Sequence, residues 1–244
     1  MDETTIRECT TIEEFDACIH LQREAFGHSD LELTPRRHLI VSRQAGGWTL
    51  GAFVADRMVG FVHHLAAVRS DEIFGYSHML AVAKDYQNKG VGARLKWAQR
   101  ERAVSEGRKL IKWTWDPMLA RNAHFNLNRL GAITETYVEN FYGTDDSTGL
   151  QNDRLFAMWY LDSAHVSALA SGSAAVIDAR PVATVAIPTE WNALVKQDVS
   201  RARAEGARVR AEFKRAFEQQ LICAGLERGE EQSRYLLFEA KHVT

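Results

Sequence analysis

The chain has 244 residues, of which 45% are hydrophobic and 25% charged, and its formal net charge is −2. This composition is typical of a globular protein with one large or two small domains, and it gives no global reason to expect nucleic acid or an acidic membrane as a partner. Three widely spaced cysteines, Cys9, Cys18 and Cys223, favour reduced thiols over a disulfide framework. The acidic start and the lack of a long apolar run predict neither a signal peptide nor a membrane span, so we expect a cytoplasmic protein.

The N-terminal third of the chain predicts three strands and two helices. Residues 4–9 are β-tolerant and predict a short first strand. Thr11 precedes two acidic residues and an apolar repeat of helical spacing, so we expect it to cap the first helix. A second helix is predicted with Pro35 at its first position. The β-rich runs 48–54 and 59–68 predict a hairpin.

A buried strand, a turn and the beginning of a helix are predicted for residues 77–95. Residues 79–82 are apolar throughout, which is typical of a strand covered on both faces. The turn contains Gly90 and Gly92, after which apolar residues recur at helical spacing to about residue 107. Glycines at the entry to a helix leave N–H groups uncovered at the positive end of the helix dipole. The segment therefore predicts an anion site, and a diphosphate is a common occupant of such sites.

The spacing of the glycines excludes two other phosphate-binding loops. A Walker loop requires lysine and serine or threonine after its last glycine, but alanine and arginine follow Gly92. A dinucleotide fingerprint requires a third glycine three residues further on, where this chain has Leu95. What remains is Gln87-x-x-Gly90-x-Gly92, directly after an apolar strand.

A second strand–helix pair is predicted downstream of this turn. Residues 110–115 read as a strand, which Asp116-Pro117 ends. A helix over residues 122–132 is predicted next, beginning at Asn122 and closed by Gly131 at its C-terminus.

The remainder of the chain predicts two more core strands and an ordered extension. The strands are expected at 133–139 and 155–161, and the alanine- and serine-rich residues 163–180 predict a linker. A strand, a long helix capped by Thr189 and a final strand then predict a β-α-β appendage at residues 181–244. The apolar stripe of that helix comprises Trp191, Leu194, Val195, Val199, Val209, Phe213, Phe217 and Leu221. Such a stripe could mediate a homodimer, whereas the arginines of the helix alternate with glutamates and favour a solvated face over a nucleic-acid site.

The two motifs together resemble those of the GNAT superfamily of N-acyltransferases. The turn resembles the acyl-CoA signature Q/R-x-x-G-x-G/A, and residues 122–132 resemble the second motif, N-x-x-A/F-x-x-L-Y-x-x-x-G-F. Asn122 lies two residues closer to Gly131 than in the family pattern. The resemblance covers residues 4–162, and residues 77–82, 113–117 and 153–155 are further similar to an uncharacterised bacterial branch of predicted acetyltransferases.

The resemblance implies a fold of the α/β (α+β) class, with a mixed, mostly antiparallel twisted sheet flanked by helices. It places an acyl-CoA-binding catalytic domain at residues 1–162, followed by the linker at 163–180 and the β-α-β extension at 181–244. It also implies acetyl-CoA or another acyl-CoA as co-substrate and no metal. The residues that it assigns to the cofactor are Leu80, Ala81, Val82, Gln87, Asn88, Lys89, Gly90, Val91, Gly92, Ala93 and Asn122.

The general base that would free the acceptor amine of its proton has two candidates. They are His78 on the central strand and Asp116 at the end of the next one, since the family opens a gap between these strands. A packed, hydrogen-bonded histidine and a turn-capping aspartate are the alternative interpretations. His63 and His64 are adjacent on a strand and face opposite ways, so they form no simple metal pair, and no zinc motif is present.

The position at which the family usually has a tyrosine, as acid for the leaving thiolate, is Leu127 in this chain. Residues that could replace the tyrosine are Tyr86, Tyr137, Tyr142 and Asn126, or a water molecule could do so. From the resemblance as a whole, we expect an enzyme that moves a short acyl group from acyl-CoA to the amine of a small molecule. The alternative is a GNAT-fold protein that binds acyl-CoA as a sensor or scaffold without turnover.

Overall fold

The computed structural model describes residues 4–27, 29–173 and 177–243. Contacts group the chain into two compact units, Met1–Lys112 and Trp113–Thr244. The domain boundaries predicted on either side of residues 163–180 stay predictions, and this segment contains a helix, Ala164–Ala170. Among the described residues, no helix combines the length and the apolar character needed to cross a bilayer.

The first unit is a sheet with helices on both faces. Its elements are β1 (Thr5–Glu8), α1 (Ile12–Phe26), α2 (Arg36–Gln44), β2 (Trp48–Val54), β3 (Arg57–Arg69), β4 (Glu72–Val82), α3 (Val91–Ser105) and the start of β5 (Leu110–Trp115). Within the unit the strand order is β1-β2-β3-β4-β5, and every pair is antiparallel except β4 and β5, which are parallel. The mixed, mostly antiparallel sheet flanked by helices is thus confirmed.

The first helix begins as its sequence predicts. The Thr11 hydroxyl accepts the N–H of Glu14 at 3.3 Å, and the Glu14 carboxylate accepts the N–H of Thr11 at 3.1 Å, so the two residues form a capping box. Pro35 is the N-cap of α2 with an extended conformation, and the helix begins at Arg36, one residue later than predicted. Between α1 and the sheet lies an apolar cluster that includes Phe15, Cys18, Leu39 and Phe61.

The expectation that both faces of the strand at residues 79–82 are covered is wrong. Ala81 is buried, but Met79, Leu80 and Val82 are only half-buried, and His78 is exposed. β4 is also longer than its apolar end: it starts at Glu72, and within the first unit β5 pairs with it only at Gly75 and Tyr76.

The second unit contains the rest of the chain. Its elements are the end of β5, α4 (Ala120–His124), a π-helical turn (Phe125–Arg129), β6 (Tyr137–Val138), β7 (Arg154–Tyr160), α5 (Ala164–Ala170), β8 (Ala183–Pro188), α6 (Trp191–Gln197), α7 (Val199–Glu218), β9 (Leu221–Glu227) and β10 (Gln232–Glu239). In this unit β7 lies between β5 and β6. A separate antiparallel sheet has the order β8-β10-β9.

The C-terminal extension has one helix break and one strand more than predicted. The long helix is interrupted at Asp198, whose carboxylate caps α7 by accepting the N–H of Arg201 at 2.9 Å. Thr189 caps neither helix, because its hydroxyl donates to the carbonyl of Gly229 at 2.9 Å. Leu221 opens β9 rather than closing the helical stripe, since Gln220 has a left-handed φ of +59° and ends the helix.

The apolar stripe of α7 packs inside the second unit. Val209 and Phe213 are fully buried, and Phe213 lies edge-on to Tyr235 at a ring distance of 5.0 Å. The Tyr235 hydroxyl donates to the carbonyl of Pro117 at 2.7 Å and accepts the indole N–H of Trp115 at 3.2 Å. Burial raises the pKa of Tyr235 well above its usual value. Packing within the unit accounts for the stripe, and the homodimer stays a prediction.

The strand predicted at residues 133–139 is mostly absent. Only Tyr137–Val138 pairs as a strand, with β7, while Ile133 and Thr134 make isolated bridges to Met158 and Cys223. All three cysteines are buried and free.

Candidate active site

The turn between β4 and α3 exposes a row of backbone amides. After a single 3₁₀ turn, Lys84–Tyr86, both Asn88 and Gly90 adopt left-handed φ values, +61° and +82°. Gly90 is the N-cap of α3, and no side chain among the described residues caps it. The N–H groups of the first helical turn therefore point outward without a protein acceptor, next to exposed residues 88–90.

Three basic residues near this turn differ in what they contact. Lys84 and Lys89 are exposed, and the Lys89 ammonium lies 5.4 Å from the centre of the Tyr86 ring. Arg94 instead donates to the carbonyl of Thr4. Gly92 faces half-buried Leu80 and Val82: a Cβ at this position would meet their side chains at 3.6 and 3.8 Å, which is ordinary contact.

The end of β4 turns one edge away from its neighbour β3. The N–H of Ala83 donates to the carbonyl of Val59 at 2.9 Å. Because bonded and non-bonded pairs alternate along an antiparallel ladder, the amides and carbonyls of Leu80 and Val82 point to the opposite side. The Val82 carbonyl accepts the side-chain amide of Gln87 at 3.1 Å, so this residue ties the turn to the strand end.

A β-bulge at His78 changes which face of the sheet each side chain takes. His63 pairs with Met79 and His64 pairs with Ser77, so His78 is the extra residue on β4. The Ser77 hydroxyl donates to Gln99 on α3 at 3.1 Å, whereas His78 contacts residues on the α2 side of the sheet. The bulge thus brings His78 out of the ladder and next to the exposed strand end.

His78 lies against two other imidazoles and a threonine. Its ring centre is 5.9 Å from that of His38 on α2 and 6.0 Å from that of His63 on β3. Its Nε2 is 3.1 Å from the Thr34 hydroxyl. Partial desolvation of its ring by these neighbouring groups lowers the pKa of His78, and the nearby His38 lowers it further. The lowered pKa favours the neutral imidazole, which has a nitrogen lone pair that can accept a proton.

His63 and His64 face opposite sides of the sheet, as predicted. His63 bonds Ser42 and Thr49, while His64 stacks on Trp48 with ring centres 4.1 Å apart. Burial lowers the pKa of both imidazoles to about 3. Nε2 of His64 is buried without a hydrogen-bond partner among the described residues. Within that same part of the chain, no group of three acidic, histidine or cysteine residues is arranged to hold a metal ion.

A buried lysine lies behind the bulge and was not predicted. Lys96 on α3 is 2% exposed and donates to Ser77 at 3.1 Å and to the Gln99 carbonyl oxygen at 2.7 Å. Burial lowers its pKa well below the usual value. Lys96 directly follows buried Leu95, on a helix whose other polar residues are mostly at the surface. This position alone did not indicate a buried lysine, because so long a side chain could equally have reached solvent.

Asp116 and Asn122 belong to the second unit. Asp116 is half-buried and accepts the N–H of Met118 at 2.8 Å, the bond of a turn-capping aspartate. Burial raises its pKa. It lines a cavity of about 580 Å³, together with Tyr137, Asp153, Trp191, Arg203 and Arg210. Asn122 lies exposed in the first turn of α4, which begins two residues earlier than predicted.

The polar side chains around that cavity are largely committed to one another. The carboxylate of Asp153 accepts a hydrogen bond from the hydroxyl of Tyr137 at 2.7 Å. It also accepts bonds from Nε and Nη2 of Arg210, at 2.8 and 3.0 Å. A larger cavity of about 730 Å³ in the same unit is lined by Gly131, Tyr160, His165 and His242 among others, and no predicted site residue lies in its wall.

The position of the missing tyrosine is in the core. Leu127 is fully buried, and the neighbouring amide oxygen of Asn126 accepts the indole N–H of Trp113 at 3.3 Å. Both residues lie in the π-helical turn, where the N–H of Leu130 bonds the carbonyl of Phe125 at 3.1 Å. Helical faces drawn for an uninterrupted α-helix do not continue across such a turn.

Comparison with known proteins adds a family and a set of fold neighbours. The model of the acetyltransferase (GNAT) family matches residues 14–126. None of the curated proteins matches the chain. The ribosomal-protein-S18-alanine N-acetyltransferase from Escherichia coli is 15% identical, with a TM-score of 0.55 over 66% of this chain and 96% of that one.

Two further solved structures show the same fold. The yncA protein from Salmonella typhimurium, solved with its cofactor acetyl-CoA, is 16% identical with a TM-score of 0.55, over 66% of this chain and 95% of that one. An N-acetyltransferase from Staphylococcus aureus Mu50 is 13% identical with a TM-score of 0.54, over 66% and 99%. At such identities the likeness concerns the fold alone.

Proposed function

The chain belongs, through residues 14–126, to the GNAT acetyltransferase family, and from this premise we propose that it moves a short acyl group, most simply acetyl, from acyl-CoA to the amine of a small molecule. The transfer is by direct attack of the amine in a ternary complex. Acyl-CoA supplies an acyl group activated as a thioester. The observation that carries the proposal is the uncapped start of α3 beside the outward edge of β4.

The turn after β4 fits the phosphates of a nucleotide. The amides of the first turn of α3 have no side-chain cap among the described residues, and the dipole of α3 favours negative charge at this end. Lys84 and Lys89 are exposed and add positive charge, while Arg94 is held by Thr4 and takes no part. The left-handed φ of Gly90 is what lets the chain enter the helix with its amides outward.

The edge of β4 fits the extended arm of the cofactor. The amides of Leu80 and Val82 point away from β3, so an extended pantetheine could pair with them as a neighbouring strand does. An amide at this edge would also face the oxygen of the acyl carbonyl as negative charge develops on it. One such donor is typically worth about 3 to 4 kcal/mol in the transition state. The assignment of Asn122, which is exposed, to the cofactor stays a prediction.

His78 is proposed as the general base. An α-amine has a pKa near 8 and a lysine amine about 10.4, so either acceptor is mostly protonated at neutral pH. Removing that proton costs about 1.4 kcal/mol per pH unit. The neutral imidazole of His78, exposed at the end of β4, is suited to accept it. Asp116 is the second candidate, and its raised pKa moves this carboxyl toward the range of a base that works near neutrality.

The thiolate is proposed to leave without a protein acid at the tyrosine position, because Leu127 is buried there. A thiol pKa of about 8.5 means that an unprotonated thiolate costs about 2 kcal/mol at pH 7. Of the substitutes, Asn126 bonds Trp113 and Tyr137 bonds Asp153, so Tyr86, Tyr142 and water remain as proton donors.

Binding of acetyl-CoA by titration calorimetry, followed by CoA release over a panel of amines, tests the proposal. Gly90→Val forces a branched side chain into a φ of +82°, where nothing lies within 4 Å of the new Cβ. Gly107→Val is the matched control, with a φ of +77° at the other end of α3 and equally open surroundings. We expect Gly90→Val to raise the Kd at least tenfold and Gly107→Val to leave it within twofold. Equal Kd values for both variants and the wild type would overturn the proposal.

A sensor or scaffold that binds acyl-CoA without turnover is the second candidate function. The buried leucine at position 127, where the family has a proton donor, favours it. Binding of acetyl-CoA with no CoA release across the whole amine panel would support this function, and turnover on any free amine would exclude it.

A further inference from the structure

A buried glutamine holds the backbone of Thr34 from both sides. The carboxamide oxygen of Gln22 accepts the N–H of Thr34 at 2.8 Å, and its NH₂ donates to the carbonyl of Thr34 at 3.2 Å. Gln22 lies on α1 and is 2% exposed, so its own position is fixed by packing. The loop between α1 and α2 is therefore anchored at this one residue, whose β-branched side chain has few rotamers.

Thr34 in turn contacts the proposed base. Its hydroxyl oxygen lies 3.1 Å from Nε2 of His78, a separation of 44 residues in the chain. The contact engages only one of the two ring nitrogens of His78, so Nδ1 is the nitrogen that remains for chemistry. The side chain of His78 is thus connected, through Thr34 and Gln22, to the core of α1.

His63, one of the other two imidazoles in the cluster, cannot replace His78 in this role. The Ser42 hydroxyl donates to the carbonyl of Leu39 at 3.0 Å, so it must accept its 3.2 Å bond from Nε2–H of His63. Nδ1 of His63 then accepts the Thr49 hydroxyl at 2.8 Å, and both of its nitrogens are used. His38 on α2 is exposed, and it and His63 are the titratable groups that face His78 from the elements packed against it.

We propose that Thr34 and Gln22 are positioning residues for the acyl transfer: Nε2–H of His78 donates to the Thr34 hydroxyl, which leaves the Nδ1 lone pair free and aimed by the Gln22 clamp. The inference rests on the proposed function. In the step itself, an N–H bond of the acceptor ammonium breaks and an Nδ1–H bond forms. The freed amine lone pair then attacks the acyl carbon, the C–S bond breaks, the attacking nitrogen loses its second proton through water to the departing thiolate, and His78 gives its proton to solvent.

The tautomer of His78 can be read without any turnover. In the full-length chain labelled with ¹⁵N-histidine, long-range ¹H–¹⁵N correlation spectra distinguish Nε2–H from Nδ1–H, and His78→Gln identifies the signals. We expect the Nε2–H tautomer in the wild type and a shifted Nε2 resonance in Thr34→Val, which lacks the hydroxyl. Thr49→Val, which removes the equivalent bond to His63, should leave the His78 signals in place. An Nδ1–H tautomer, or identical His78 signals in the wild type and Thr34→Val, would overturn the inference.

Kinetics then separates positioning from simple stability. We expect Thr34→Val to lower kcat about tenfold with the KM for acetyl-CoA within twofold, and Thr34→Ser to restore the rate. Gln22→Met should lower kcat similarly and add nothing to Thr34→Val in the double variant, because both act through one contact. Thr34→Ser as slow as Thr34→Val would contradict the role of the hydroxyl. If no amine is turned over, the proposed function fails, and the NMR result still decides whether Thr34 holds His78.

Discussion

A negative charge introduced at Gly92 should affect the stability of α3 and the binding of acyl-CoA in opposite directions. Gly92 is the second residue of the helix, and its Cβ position has room for a side chain, with Leu80 and Val82 at 3.6 and 3.8 Å. An acidic residue here interacts favourably with the helix dipole, which is worth about 0.3 to 1 kcal/mol. We therefore expect Gly92→Asp to be at least as stable as the isosteric, neutral Gly92→Asn.

The same charge should weaken the binding of acyl-CoA. A carboxylate about 5 Å from a phosphate charge is repelled by about 0.8 kcal/mol at an effective dielectric constant of 80 and by about 3.3 kcal/mol at 20. A tenfold change in Kd corresponds to about 1.4 kcal/mol. We therefore expect the Kd of Gly92→Asp for acetyl-CoA to exceed that of Gly92→Asn by a factor between about 4 and 250.

Titration calorimetry at two salt concentrations and urea unfolding of both variants measure the two effects. The difference in Kd should shrink as salt is added, because the surface charges are screened. Equal Kd values for the aspartate and asparagine variants at low salt would refute the placement of phosphates at residues 88–93, whatever the stabilities are.

Three further results are expected. The kcat/KM of the wild type should rise with pH and level off below the usual imidazole pKa of about 6.5, and His78→Gln should lose this limb and about a hundredfold in rate; a flat wild-type profile contradicts the base assignment. Burial lowers the pKa of His63 and His64 to about 3, so both imidazoles bind protons far more readily in the unfolded chain. The free energy of unfolding therefore decreases as the pH is lowered. The loss between pH 7 and 5 should be about 2 kcal/mol for each, measured by urea unfolding, and a constant free energy of unfolding over this range would exclude it. Gly75→Ala should destabilise the chain by about 3 kcal/mol, since its Cβ would lie 2.1 Å from Cε1 of His64. Gly206→Ala, in the open middle of α7, should stabilise it by up to about 1 kcal/mol, and urea unfolding of both variants measures the two effects.

The anion-binding turn was predictable because its determinants are local. Gly90 and Gly92 follow a strand and open a helix within a few residues, and the cap at Thr11 is likewise contained in one turn. The order of residues within such a short segment is enough to predict where a helix begins. Which strand end was left uncovered was not local, since it depends on the register of β4 with β3.

The surroundings of His78 could not be read from the sequence. Its contact with Thr34 joins a loop and a strand 44 residues apart, and the bulge that turns it outward comes from a register shift with β3. The break at Asp198 and the strand from Leu221 were missed for a related reason. Both lie inside an apolar pattern that continues at helical spacing, and only a capping carboxylate and one left-handed residue interrupt it.

The extra residue in β4 has a consequence for how substitutions along this strand should be read. From Glu72 to Ser77 and from Met79 to Val82 the pairing with β3 is regular, but the two stretches are out of phase by one residue. In a systematic substitution scan, tolerant and sensitive positions should therefore alternate along the strand, and this alternation should shift by one residue at His78. Deleting any single residue between Glu72 and Ser77 would move every side chain on one part of the strand to the opposite face of the sheet. The number of residues in this strand therefore matters more than their composition for keeping its open end in place.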